Sequence, residues 1–357
     1  MEGGEGGAVL IARGPIQTFP QGEGLNSNSH LSLPMPRDSP KERAKYSDMM
    51  RRYIQNLSLF PLLLMGLFVS SCFYREIPVD KDGLLGNDYR LFQDGPSWDL
   101  AKAVQDEDAD RINHLIASDR QLVNYQEPQF GSTLLMLAVM NGQFKSCEAL
   151  VKCGFDPNLH DAYDGTSAII YAAGGLWEGG KNPKILALLL QHKGNPNDEE
   201  TGPRREGNQT RKTALSEAAS CLKEKNDDLA LIKVKMLVEA GANINHINDR
   251  GSFALREALF QENLNVVNYL LRAGADYSLL IVDNSLYQKN GQKVYIQQFL
   301  RSLYYPLDSK EYREKMEIVN FLKSHHIDYR AVPIPPYITK DAQQDYPHDW
   351  EDYLRKY

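Results

Sequence analysis

The sequence predicts an all-α fold, a solenoid of about six helix-turn-helix units joined by short hairpin loops. Three observations predict it. Four stretches end alike, at Gly154-Phe155-Asp156-Pro157-Asn158, Gly194-Asn195-Pro196-Asn197, Gly241-Ala242-Asn243-Ile244-Asn245 and Gly274-Ala275-Asp276-Tyr277. Each ending follows a helix-like apolar run, such as Leu188-Leu189-Leu190 or Tyr269-Leu270-Leu271. Each run follows an earlier small, apolar segment: Thr133–Ala138, Ser167–Ala172, Thr213–Ala218 and Phe253–Ala258. Self-similarity at a fixed period is the mark of stacked units, none of which can bury its apolar face alone.

The elements follow in order. Trp98–Asn124 reads as a degenerate first unit, with Leu100, Ala101 and Val104 in one helix and Ile112, Leu115 and Ile116 in the next. Four fuller units follow, and their glycines set the spacing: 154 to 194 is 40 residues, 194 to 241 is 47, and 241 to 274 is 33. The structural glycines Gly154, Gly194, Gly241 and Gly274 are expected in the left-handed conformation that ends a helix, which other residues resist. Alanines let first helices approach closely, and leucines of second helices face the next unit. Val294–Tyr304 and Glu311–Lys323 read as a diverged sixth pair, closing an array over residues 95–330. The tail, 331–357, holds a short helix starting near Tyr346-Pro347, with Trp350, Tyr353 and Leu354 on one face and expected to dock on the last unit.

These residues resemble the ankyrin repeat, whose period of 33 residues equals the last interval. The resemblance implies a concave binding face made of hairpin loops and first helices, hence a protein-protein interaction scaffold. The chain departs from the family's Thr-Pro-Leu-His start. The proline position holds Leu134, Ala168, Ala214 or Ala254, and the histidine position Met136, Ile170, Ser216 or Arg256. The histidine network is therefore absent, and less regular stacking is expected.

Upstream, Met50–Cys72 carries two arginines, a short apolar run and a small-residue exit, the parts of a secretory signal. The run is shorter than the ~20 residues of a membrane-spanning helix. Its ending resembles the lipobox of bacterial lipoproteins. That resemblance implies cleavage of residues 50–71, lipidation at Cys72, and anchoring to a lipid bilayer of the bacterial envelope, with Phe73 implying an outer membrane facing the periplasm. Residues 1–49 read as a disordered extension preceding a start at Met49 or Met50, and 72–94 as a tether.

The formal net charge of −7 disfavours binding to nucleic acid, which wants clustered positive charge. Cys147, Cys153 and Cys221 show no disulfide framework and read as small buried residues, with a Cys147–Cys221 bridge conceivable. No zinc-ligand set, phosphate loop or nucleophile elbow is present, so neither cofactor nor metal is expected and the chain does not read as an enzyme. The adjacent His325 and His326 do not converge, and Gly174–Gly180 reads as an extended turn between helices.

Candidate partner-binding residues lie in the insertions. Asp198–Lys212 enlarges one hairpin loop and carries Arg204, Arg205, Arg211 and Lys212; partner contact and a mobile solvated loop both fit it. Trp177 fits an interface anchor or packing within its own unit. The expected species is a monomer that binds another protein, with an immunity-type role against a secreted toxin drawn from layout alone; the alternatives are an accessory role beside an envelope enzyme and an intracellular adaptor.

Overall fold

The computed structural model describes residues 76–203, 211–222, 228–286 and 291–357. Pro78–Tyr357 form one compact unit. Among the described residues, six helix pairs stack in sequence: α1 (Trp98–Gln105) with α2 (Ala109–Ser118), α3 (Leu134–Met140) with α4 (Phe144–Lys152), α5 (Ala168–Ala173) with α6 (Pro183–Gln191), α7 (Ala214–Ala219) with α8 (Leu229–Glu239), α9 (Ala254–Phe260) with α10 (Leu264–Arg272), and α11 (Ile296–Arg301) with α12 (Lys310–Ser324). The tail adds α13 (Pro336–Asp345) and α14 (Trp350–Lys356). The array is a solenoid: each first helix packs on the first helix of the next unit through α9, and each second helix on the next second helix.

Local chemistry explains the starts. Thr133, Ser167 and Thr213 precede α3, α5 and α7, and each hydroxyl accepts from the amide three residues on. Such caps satisfy amides that a helix start otherwise leaves unpaired. Phe253 stands in the fourth such position without a side-chain cap, its bulk buried instead. Single bridges Gln126–Thr133, His160–Ser167 and Glu199–Thr213 close three hairpin fingers, and a short antiparallel pair, β1 (Val282–Asp283) and β2 (Lys293–Val294), closes another. The small side chains Ala138, Ala172, Ala218 and Ala258 are wholly buried between first helices, with Leu150, Leu189, Leu237 and Leu270 wholly buried from the second helices.

Three of the four expected left-handed glycines behave as their positions require: Gly154, Gly241 and Gly274 have φ of 96°, 96° and 98°. Gly194 does not. The second helix of its unit stops one residue earlier, and Lys193 takes the left-handed place with φ 68°. Gly194 answers a different need, since a Cβ there would lie 2.2 Å from Ile169 Cδ1 and 2.8 Å from the Leu189 carbonyl oxygen.

The expected irregular stacking meets a device that the histidine pattern did not announce. Asn124, Asn158, Asn197 and Asn245 form a ladder across successive loops. Asn158 Oδ1 accepts from the Asn195 amide at 2.6 Å while its Nδ2 donates to the Lys193 carbonyl at 3.0 Å. Asn197 repeats this with the Asn243 amide at 2.6 Å and the Gly241 carbonyl at 3.1 Å. Asn245 does so with the Asp276 amide at 2.8 Å and the Gly274 carbonyl at 3.0 Å, and Asn124 accepts from the Asp156 amide at 2.9 Å.

Both ends of the array differ from expectation. The stretch 72–94 is not a free tether in its later part: Tyr89, Leu91 and Phe92 are buried, and Asn87 exchanges hydrogen bonds with Asn141. These residues pack on α1 of the first unit. In the tail, the one expected helix begins at Trp350 rather than near Tyr346-Pro347, and an unexpected helix, α13, precedes it where Pro336 occupies a first-turn position that tolerates proline. Tyr353 and Tyr357 are buried, and the tail docks by donating phenol hydrogens: Tyr353 to the Tyr305 carbonyl, Tyr357 to those of Arg301 and Leu303, and Tyr337 to that of Ser302. No helix among the described residues is long and apolar enough to cross a membrane.

Candidate interaction surface

The surface is built from the fingers, the exposed sides of α5, α7 and α9, and the turns that follow those helices. The turn after α5 carries Trp177. Gly179 and Gly180 let this turn run against neighbouring backbone: a Cβ on Gly179 would lie 1.8 Å from the Val139 carbonyl oxygen, and one on Gly180 2.0 Å from that of Gly174. The glycines there thus serve packing, and a 3₁₀ turn spans Glu178–Lys181. Trp177 is half-buried and meets Tyr171 edge-to-face, ring centroids 6.2 Å apart, so its indole packs within its own unit. Leu176 beside it is 80% exposed. The turn after α7 lies alongside, since a Cβ on Gly175 would sit 3.3 Å from Cys221 Sγ, and there Leu222 is 77% exposed. At the end of α9, Phe260 is also exposed, with the Arg256 guanidinium 4.9 Å from its ring centroid.

The finger side is charged. Arg211 faces Asp249 of the next finger, Nε to Oδ2 3.9 Å, and its carbonyl accepts from Asn248 Nδ2 at 2.7 Å. Lys212 pairs with Glu217 of α7 at 3.5 Å, while its amide donates to Glu200 Oε2 at 3.1 Å. Burial raises the Glu200 and Glu217 carboxyls above the ordinary range, with Lys212 opposing it at both. Arg204, Arg205 and Cys72 lie outside the described residues. Of the predicted partner residues, the structure therefore brings Arg211 and Lys212 to one finger and sets Trp177 on the inner-helix turns. The exposed leucines were missed; each is a single Leu in a polar turn, with no periodicity to mark it.

A shallow notch of about 300 Å³ lies between two fingers, lined by Pro196, Asn197, Thr213, Leu215, Asn243 and His246. His246 Nε2 is 2.9 Å from Glu199 Oε2. Nearby, Asp198 bridges two groups: Oδ1 is 3.1 Å from His160 Nε2, and Oδ2 accepts from the Ser167 hydroxyl. Serine, histidine and aspartate thus meet, but the carboxylate rather than the imidazole takes the serine hydrogen. A nucleophile needs the imidazole between the other two. Among the described residues no group of three or more His, Cys, Asp or Glu side chains is placed to hold a metal. His325 stacks on Phe321, ring centroids 4.2 Å apart, and His326 occupies the left-handed helix-end position with φ 64°.

Cys147 and Cys221 are buried, unbridged thiols, so the conceivable Cys147–Cys221 bridge is not formed. Cys153 is half-exposed rather than buried, its sulfur 3.2 Å from Asn113 Oδ1.

Stacked helix pairs with projecting fingers make up a repeat architecture. Residues 100–200 match the family model of ankyrin repeats in three copies, and the fold is an ankyrin-repeat solenoid. A putative ankyrin repeat protein, L271, of Acanthamoeba polyphaga mimivirus is 48% identical over 59 residues, which are 16% of this chain and span 8% of that protein. A crystal structure of an ankyrin repeat domain from Acinetobacter baumannii AYE aligns over 64% of this chain and 97% of its own, at 26% identity and a TM-score of 0.45. The ankyrin repeat protein EF0377 aligns over 63% and 96%, at 26% identity and a TM-score of 0.41.

Proposed function

We propose that this chain is a lipid-anchored recognition scaffold of the bacterial envelope, and that its partner is a secreted antibacterial effector which it neutralises. The observation that carries the recognition role is the row of exposed apolar side chains, Leu176, Leu222 and Phe260, on the turns and helix ends of successive units. Singly exposed leucines are ordinary, but apolar groups set beside Trp177 and Arg256 have the composition of an interface centre. A charged rim of Arg211, Lys212, Glu217 and Asp249 borders it, as polar groups border the core of most interfaces. Binding rather than catalysis is the reading, because a solenoid offers an extended face and few deep pockets.

The envelope part of the reading rests on the sequence from Met50 to Cys72. Acylation there would hold the array at a bilayer and raise its local concentration toward a partner arriving at the same membrane.

The experiment is co-expression with a panel of secreted lipases and cell-wall hydrolases, scoring growth and co-purification. Protection by the wild type, and its loss in the triple variant Leu176→Asp, Leu222→Asp, Phe260→Asp, is the expected outcome. Protection that survives the triple variant removes this face from the interface. Fractionation of Cys72→Ala tests the anchor separately, with release from membranes expected.

A further inference from the structure

The turns that join first to second helices lie side by side through five units. Gln143 Nε2 donates to the Gln105 carbonyl at 2.7 Å, which joins the turns of the first and second units. A Cβ on Gly142 would lie 3.1 Å from Glu178 Cβ, which places the second turn against the third. Gly175 meets Cys221 in the fourth turn, and Asn263 Nδ2 reaches from the fifth to the Ala219 and Cys221 carbonyls at 3.1 and 2.8 Å.

Four successive units each present one large apolar side chain to solvent along this edge. Leu176, Leu222 and Phe260 serve the third, fourth and fifth units. Leu85, 74% exposed, serves the second, because it stands two residues before Asn87, whose Nδ2 donates to Asn141 Oδ1 in that unit's turn at 3.1 Å. The turn of the first unit continues the edge with charge instead, four carboxylates in five residues: Asp106, Glu107, Asp108 and Asp110. Glu107 Oε2 accepts from the Lys145 amide at 2.9 Å, so this acidic turn abuts the second unit. Arg111, next in the chain, turns toward Asp99 of α1, Nη2 to Oδ1 3.8 Å.

The spacing selects what fits. Helices packed side by side stand about 8–10 Å apart, so the four apolar groups recur at about that interval. An α-helix laid along the edge matches them, since seven residues rise about 10.5 Å and return to nearly the same face. An extended strand does not: three residues cover about 10 Å, but the third side chain points to the opposite face. The acidic end separates the remaining apolar occupants. It attracts a cationic peptide and repels a surface of anionic lipid.

We propose that this edge holds an amphipathic helix of the partner. Its apolar residues recur at every seventh position over Leu85, Leu176, Leu222 and Phe260, and its basic residues lie at the end over Asp106–Asp110. Spanning five units takes about 25 residues at the helical rise. The mode is that of a helix laid in a groove, with anchors on one face giving affinity and flanking charge giving direction. The proposal rests on the recognition reading of Leu176, Leu222 and Phe260, to which it adds Leu85, the acidic turn and a class of ligand.

The probe is a fluorescein-labelled synthetic peptide of Ala, Gln, Leu and Lys, with leucines at every seventh residue and lysines gathered at one end. Its control has the same composition with leucines at every fifth residue, which scatters them around a helix. Anisotropy titrations with the purified protein should show the heptad peptide binding at least about tenfold more tightly than the control, as expected when apolar side chains are buried together rather than dispersed. Leu176→Ser with Leu222→Ser should abolish that difference, and Asp106→Asn with Asp110→Asn should weaken the heptad peptide several-fold. Equal affinity for the two peptides on the wild type would overturn the proposal, and that comparison holds whether or not a variant folds. Sedimentation with phosphatidylglycerol vesicles, without peptide binding, would overturn it in favour of a lipid surface. An effector that co-purifies through the leucine row while neither peptide binds would leave the recognition role standing and remove the helical ligand.

Discussion

Gly241 and Gly194 stand in similar sequence settings and obey different constraints. At Gly241 a Cβ would meet nothing within 4 Å, so its φ of 96° is the whole reason for glycine. Gly241→Ala should therefore cost roughly 1 kcal/mol of backbone strain, read as a lowered melting temperature. Gly194→Ala should cost more, because its methyl would overlap the Ile169 side chain and the Leu189 carbonyl. A result with Gly241→Ala the worse of the two would contradict this assignment. The sequence marks both glycines, and only the one-residue shift of helix end separates their roles.

Lys315 offers a second residue-scale test. It is wholly buried, its Nζ donating to the Leu303 carbonyl at 2.9 Å and lying 3.7 Å from the Tyr357 ring centroid. Burial, helped by the nearby Arg301 guanidinium, lowers its pKa to about 6. The unfolded chain holds this proton up to an ordinary lysine value near ~10.4, so between the two values it binds more protons than the folded one. Stability therefore rises with pH across that window and is flat below about 6. The slope is at most about 1.4 kcal/mol per pH unit, and the ring face of Tyr357, which favours the cation, reduces it. Denaturant melts from pH 6 to 9 should show the wild type gaining on Lys315→Met; parallel curves would refute the assignment.

At the scale of elements, caps and loops decide how units join. The hydroxyl caps at Thr133, Ser167 and Thr213 open the repeated first-helix segments, and the structure shows them as caps. The asparagine ladder was half-readable: the recurring Asn158, Asn197 and Asn245 stood in the repeated endings, but their long-range partners follow only from stacking. Replacing Asn197 by Ala should remove both bonds to the next loop and cost about 1–2 kcal/mol. In a stack held by nearest-neighbour terms, the loss should appear as faster hydrogen exchange in the units flanking that junction, with distant ones little changed. Helix α13 escaped the sequence reading because its one buried stripe, Ile338 and Ala342, is short and set among polar residues. Tyr89–Phe92 escaped because four residues carry no period.

At the scale of the molecule, fold class was legible because stacking repeats its constraints in every unit. The candidate surface was legible only in part, since function sits where the repeat is interrupted and the pattern gives no rule for direction. Trp177 shows this: composition left an anchor and packing within its own unit both open, and the ring lies edge-to-face on Tyr171. Tyr353→Phe with Tyr357→Phe should cost about 1–3 kcal/mol, since two phenol hydrogens are lost, one held by the Tyr305 carbonyl and one shared by those of Arg301 and Leu303. The loss should be visible as protease cleavage within 332–357 before the array itself is cut.

The same two phenols have a consequence for how copies of this chain meet one another. A stack of like units grows by whatever fits its last face, and nothing in the interior rule tells it to stop. Among the described residues, buried aromatic side chains pack over both extremities: Tyr353 and Tyr357 at one, and Tyr89, Leu91 and Phe92 at the other. A chain shortened before Val332 should then lengthen end to end as its concentration rises, giving rods in light scattering where the intact chain gives single particles.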